Sequence, residues 1–169
     1  MKVLKFGGSS VATGESIEAV LSILEKAAKN DQLAVVVSAL GGVTDLLQQG
    51  GIQAAEGDPD YRQTFDELCG RHLDTARSLG LDDQSLRELN SRLSVVGQLL
   101  NGIYLLQECS NRTQDKLMSR GELLSSFIVA RALKQRYQDC IWKDSRELIV
   151  TDSNYTAANL QIDSTKEQI

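Results

Sequence analysis

Proline, histidine and tryptophan each occur once in 169 residues, as Pro59, His72 and Trp142. A single proline leaves no Pro-rich linker, and Gly- or Ser-rich tracts are also missing, so no domain boundary falls inside the chain. One histidine and three widely spaced cysteines (Cys69, Cys109, Cys140) leave no CxxC pair and no metal-ligand spacing. Reduced, mostly buried thiols are the expected state of the cysteines. His72 sits between Arg71 and Asp74 with no Ser or Cys motif beside it, and is expected to be a solvated side chain, not a catalytic base. No apolar run approaches the roughly 20 residues that a membrane helix needs. The opening Met1–Gly8 lacks the apolar core of a signal peptide. Basic stripes are missing too: the net charge is -5, so nucleic acid is not expected as a partner.

What is present is alternation of strand and helix. Val3, Leu4 and Phe6 form a short apolar run that ends at Gly7-Gly8. Ile17, Val20, Leu21 and Leu24 then recur at helical spacing from about Gly14, with Thr13 placed to cap that helix. Leu33–Val37 is a second strand, whose unbroken apolar character suits a parallel strand buried on both faces. A second glycine turn, Ser38–Gly42, leads into a helix near Thr44–Ala55. This order is a βαβ unit. Helices are expected over Asp60–Leu79, Ser85–Cys109 and Thr113–Tyr137, short strands at Cys140–Trp142 and Leu148–Val150, and a further helix beginning near Thr165. The sheet should then hold about four strands, by this count of apolar runs.

Three clusters carry candidate chemistry. In Lys5-Phe6-Gly7-Gly8-Ser9-Ser10, glycines after a strand let backbone N–H groups face an anion, and a lysine at the strand end can neutralise it. Neither GxxxxGK[ST] nor GxGxxG is formed, which sets aside the P-loop and the dinucleotide fold. A tight strand-to-helix turn with an exposed lysine explains the same residues equally well. In Ser38–Asp45, Ser38 and Thr44 offer hydroxyls, and Gly41-Gly42 offer backbone donors at the carboxyl end of a parallel strand. Thr44 acting only as an N-cap is the competing explanation. In Ser119-Arg120-Gly121-Glu122, a glycine inside a helical stretch implies close packing or a ligand. Glu122 is placed to take an ammonium group, or to form a plain surface ion pair. Asp144, Arg146 and Asp152 can be turn residues.

Together these stretches resemble the aspartate kinase family. KFGGSSV (Lys5–Val11), VVVSALGGVTDLL (Val35–Leu47), SRGELLS (Ser119–Ser125) and WKDSRELIVTD (Trp142–Asp152) match its motifs in order. With Gly102–Leu106 they look closest to members fused to homoserine dehydrogenase. The resemblance implies an α/β fold, a three-layer αβα sandwich around a mainly parallel sheet. It implies that residues 1–169 are the N-terminal, amino-acid-binding part of the catalytic domain, stopping before the nucleotide-binding half. The implied reaction is phosphoryl transfer from ATP with Mg²⁺ to the β-carboxylate of L-aspartate, the first step of lysine, threonine and methionine biosynthesis. By the same resemblance Lys5 is catalytic, Gly7, Gly8 and Ser9 bind phosphate, and Ser38, Gly41, Gly42, Thr44 and Glu122 bind substrate. A cytoplasmic homo-oligomer without nucleic-acid or membrane partners is implied, and the fragment alone is expected to be inactive. Glutamate, acetylglutamate or carbamate kinases, or a non-catalytic half-domain that binds aspartate or an anion, are the alternatives. The family's later Gly-rich loop and adenine-binding segment are not found here.

Overall fold

A computed structural model describes residues 1–169. Strand β1 (Lys2–Phe6) pairs in parallel with β2 (Leu33–Val37), with Lys2 opposite Leu33 and Phe6 opposite Val37. Between them lie a 3-10 turn (Gly8–Val11) and helix α1 (Gly14–Ala28). Thr13 starts α1 through a reciprocal cap: its Oγ1 accepts from the Ser16 N–H at 3.2 Å, and its own N–H donates to Ser16 Oγ at 2.9 Å. After β2 come α2 (Val43–Ala55), α3 (Tyr61–Ser78), α4 (Asp83–Leu106), α5 (Asn111–Met118), α6 (Arg120–Arg136) and the short α7 (Ile162–Gln168).

Strand alternation decides which side of the sheet meets the core. Leu4, Phe6, Val35 and Val37 join the main cluster of 28 buried residues or pack on it. Val3 and Val36 point the other way and are 65% and 51% exposed. Burial of β2 on both faces is therefore corrected: helices cover one face, and the residues of the other meet no layer. One hydrophobic cluster links α1 through α6, so the helices and strands share a single core.

Three further expectations change. The sheet has two strands instead of about four. Cys140–Trp142 is irregular, and Ser145–Glu147 is a 3-10 turn; the remaining pairing is an isolated antiparallel bridge from Thr151 to Leu160. Apolar runs there find no neighbouring strand to complete a ladder. The helix expected over Thr113–Tyr137 is two helices that meet at Ser119.

His72 is fully buried, not solvated. Leu68, His72, Thr75 and Ala76 lie on the inward face of α3, while Arg71 and Asp74 project outward. The His72 Nδ1 is 2.8 Å from the Leu68 carbonyl, whereas Nε2 has no partner. Burial pushes its pKa down to about 4. The three cysteines are free and half-buried, and burial raises the Cys69 thiol to about 11. No helix is long and apolar enough to cross a membrane.

Candidate functional site

Parallel pairing brings both glycine turns to one edge of the sheet. Because Phe6 and Val37 are opposite, the chain leaves both strands side by side, and the Ser38 N–H donates to the Phe6 carbonyl at 3.0 Å. That is the carboxyl edge, where open parallel sheets bind ligands.

The first turn is open. Gly7 is extended (φ -78°, ψ 174°), and the Ser10 N–H donates to its carbonyl at 2.9 Å. A Cβ built on Gly7 would meet only Lys5 Nζ at 3.7 Å, and one on Gly8 only the Ala39 carbonyl oxygen at 3.6 Å. The Lys5 side chain leaves β1 on the uncovered face, and its ammonium is carried forward to the strand end beside Gly7. Ion pairs in the structure involve Lys2, Arg71, Arg77, Arg131, Arg136 and Arg146, not Lys5. Ser9 is exposed.

The second turn is clamped. Gly42 adopts φ +75°, a left-handed conformation that suits glycine, and it starts α2 without any side-chain cap. Arg71 Nη1 donates to the Gly41 carbonyl at 2.8 Å while its Nη2 holds Glu67 at 3.0 Å. The Ser38 carbonyl accepts from Ser125 Oγ at 2.6 Å. Thr44 is the second residue of α2, exposed and without a hydrogen bond through its hydroxyl. It does not cap the helix, because the left-handed Gly42 has already started it.

Helix α6 begins against this turn. A Cβ on Gly121 would stand 2.9 Å from Ala39 Cβ, 3.3 Å from Leu47 Cδ1 and 3.4 Å from Val43 Cγ1. Close packing thus accounts for the glycine that interrupts the apolar pattern. The next residue, Glu122, is exposed, and its carboxylate has neither an ion pair nor a hydrogen bond. The surface ion pair is not formed. Ser38, Gly41, Gly42, Thr44 and Glu122 therefore gather around one turn, and Gly7, Gly8 and Ser9 adjoin it. No ion pair joins Lys5 to Glu122 across the edge.

Two residues of this site carried no role in the sequence reading. Ser125 is one helical turn from Glu122 inside SRGELLS, and that i, i+3 spacing was its available signal. Arg71 reaches the turn across 30 residues, which no local pattern announces. Asp144 and Asp152 are turn residues, as they could be. Asp144 accepts from the Arg146 N–H at 3.0 Å and pairs with its guanidinium, and Asp152 accepts from Asn154 and Asn159. No group of three or more His, Cys, Asp or Glu side chains is arranged to hold a metal.

The model of the amino acid kinase family matches residues 1–166. The bifunctional aspartokinase/homoserine dehydrogenase 1 of Zea mays is 31% identical over 164 residues, covering 95% of this chain and 17% of that protein. The corresponding bifunctional enzyme of Buchnera aphidicola is 28% identical and covers 100% of this chain and 21% of its own length. E. coli aspartokinase III, solved in complex with aspartate and ADP, superposes with a TM-score of 0.85 at 27% identity, covering 98% of this chain and 36% of that one. Clostridium acetobutylicum aspartate kinase shares the fold, with a TM-score of 0.78 at 24% identity. The chain spans about a sixth to a fifth of the bifunctional relatives' length, 17% and 21%.

Proposed function

The chain belongs to the amino acid kinase family, and from that premise we propose that the full-length protein transfers the terminal phosphoryl group of ATP to the β-carboxylate of L-aspartate. Residues 1–169 supply the amino-acid-binding part of that catalytic domain, and the adenine contacts lie elsewhere. A cytoplasmic homo-oligomer belongs to the same reading. One observation supports it: two glycine turns share a strand-end edge, with the unpaired Lys5 ammonium beside the first and, packed against the second, the start of the helix that carries the exposed, unpaired Glu122.

Those residues fit the reactants. The open backbone of Gly7 and Gly8, with Ser9, suits phosphate oxygens, and the Lys5 ammonium neutralises charge on the transferring group. Glu122 takes the α-ammonium of aspartate, and Thr44, Ser38 and the Gly41-Gly42 backbone orient its carboxylates. The acceptor oxygen is already ionised, so no general base is needed and positioning dominates. Mg²⁺ bound together with ATP would screen the charge of the phosphates.

A hydroxamate assay on the full-length protein, with aspartate, glutamate and acetylglutamate as acceptors, tests the reading. Aspartate should be the preferred acceptor. Lys5→Ala should lower kcat by roughly 10²–10³, as losing a preorganised charge does at comparable sites. Glu122→Ala should mainly raise the KM for aspartate. Unchanged turnover in the first variant, or an unchanged KM in the second, removes that residue from its role.

A further inference from the structure

A second cluster of charge lies away from the strand-end edge, between α4, α6 and the segment after it. A cavity of about 330 Å³ opens there, lined by Glu88, Ser91, Arg92 and Val95 of α4 and by Arg120 and Leu123 of α6. That volume is at the lower end of small-ligand pockets. Four guanidiniums converge on this junction: Arg92, Arg120, Arg131 and Arg146. Two carboxylates oppose them, and both are taken. Glu88 is paired with Arg131, and also accepts from Gln84; Asp144 holds Arg146 through two N–H groups, with Nη2 to Oδ2 at 2.6 Å.

Arg92 and Arg120 are left without an acidic partner. Two aromatic rings, set edge to face, lie against the Arg92 guanidinium, with its Cζ 4.5 Å from the Phe127 centroid and 4.6 Å from that of Trp142. These cation–π contacts hold the Arg92 side chain in place, and none of the ion pairs in the structure uses its guanidinium. Arg120 Nε is buried and has no acceptor. Burial lowers the pKa of both guanidiniums, the mark of charge held partly out of water, while Arg146 adds repulsion at Arg120. Two half-buried forks facing one cavity, with an orphaned donor, match the geometry by which arginine receives carboxylate or phosphate.

We propose that the cavity between α4 and α6 binds a small oxyanion, a phosphate ester or a polycarboxylate, through the N–H groups of Arg92 and Arg120. The site does not depend on the kinase reading, and none of the residues assigned to aspartate or ATP lines it. Glu88 stays paired with Arg131, so the net charge facing the ligand is positive. Leu123 and Arg120 flank Glu122 in sequence, so an anion seated here touches the same first turn of α6 that packs on the second glycine turn.

Trp142 is the only tryptophan of the chain and its ring centroid lies 4.6 Å from Arg92 Cζ, so its emission reports on the site. The chain is titrated with inorganic phosphate and, separately, with citrate at constant ionic strength, with sodium chloride as the control. A saturable change in Trp142 emission is expected with at least one anion and not with chloride. Arg92→Gln and Arg120→Gln should each weaken it about tenfold, the loss of one charge-assisted pair. Arg92→Lys and Arg120→Lys, which keep the charge and lose the fork, should weaken it several-fold, and they decide the matter if the Gln variants fail to fold by circular dichroism. Lys5→Gln should leave the response intact. Saturation by citrate alone identifies a polycarboxylate site, and by phosphate alone a phosphate site. A response equal in chloride, Arg variants that match the unmodified chain, or loss of the response in Lys5→Gln each overturns the proposal.

Discussion

The two glycine turns lie side by side, yet they are held in opposite ways. The second is over-determined by the protein: Arg71 grips the Gly41 carbonyl, Ser125 grips the Ser38 carbonyl, Gly121 packs on Ala39, and Gly42 needs a left-handed backbone. The first is held mainly at its far end, by the Thr13 cap of α1, and leaves Gly7 and Gly8 with room to spare. The difference separates two reasons for a glycine. At Gly41 and Gly42 the fold itself excludes a side chain. At Gly7 and Gly8 nothing in the chain does, so any requirement there has to come from a ligand that approaches the backbone.

The largest expected effect tests whether α3 anchors the second turn. His72, next to Arg71, has a folded pKa of about 4 against an ordinary 6.5. The folded state therefore binds fewer protons than the unfolded state between these values. Stability is full above pH 6.5, declines as pH falls through the window and levels off near 4. The whole loss is about 3 kcal/mol. The shifted carboxyls, Asp82, Asp144 and Asp152, are all lowered and so act below this window. Urea midpoints at pH 7 and pH 4.5 measure the decline, and His72→Phe should flatten it. Protection against amide exchange, corrected for the intrinsic rate at each pH, should fall at pH 4.5 in residues 38–43 before residues 7–13. An equal fall would mean that the turns share one anchor.

Next in size is a methyl at Gly41. Its Cβ would stand 2.8 Å from Ala12 Cβ and 3.1 Å from Ala12 Cα, where neither atom is the end of a flexible side chain. Gly41→Ala should cost about 1–3 kcal/mol through overpacking. Ala12→Gly in the same chain removes the opposing methyl and should recover part of the loss. A double-mutant cycle with a coupling of about 0.5 kcal/mol or more would place the strain between the two turns. Purely additive costs would show that the turns do not press on each other.

Local pattern made most of the helices legible. The inward faces of α1 and α4 repeat every three or four residues, and Thr13 marks the start of α1. The two turns followed from glycines placed directly after apolar strands. What remained hidden depends on partners distant in sequence. The apolar run around Ile141 does not become a strand without a neighbouring strand, and Ile141 is 78% exposed. His72 looked solvated because its sequence neighbours are charged, but helix periodicity turns those charges outward. Arg71 acts on a carbonyl 30 residues away. The unpaired state of Glu122 is likewise a fact about the surrounding surface, which spacing alone does not carry.

The smallest stability effect is the sharpest test of the contrast. Gly8 has no left-handed φ, and a Cβ there would lie at an ordinary 3.6 Å from the Ala39 carbonyl oxygen. Gly8→Ala should therefore change stability by no more than about 0.5 kcal/mol, and can gain slightly because the unfolded chain loses freedom. Its effect on phosphoryl transfer in the full-length protein should be far larger, because the added methyl stands where phosphate oxygens meet the backbone. Thermal unfolding and the hydroxamate rate, measured on the same preparation, separate the two quantities. If both stay level, the first turn is a plain strand-to-helix connection and its glycines serve no ligand. If stability falls as steeply as in Gly41→Ala, the open first turn is clamped after all, and the distinction between the turns fails.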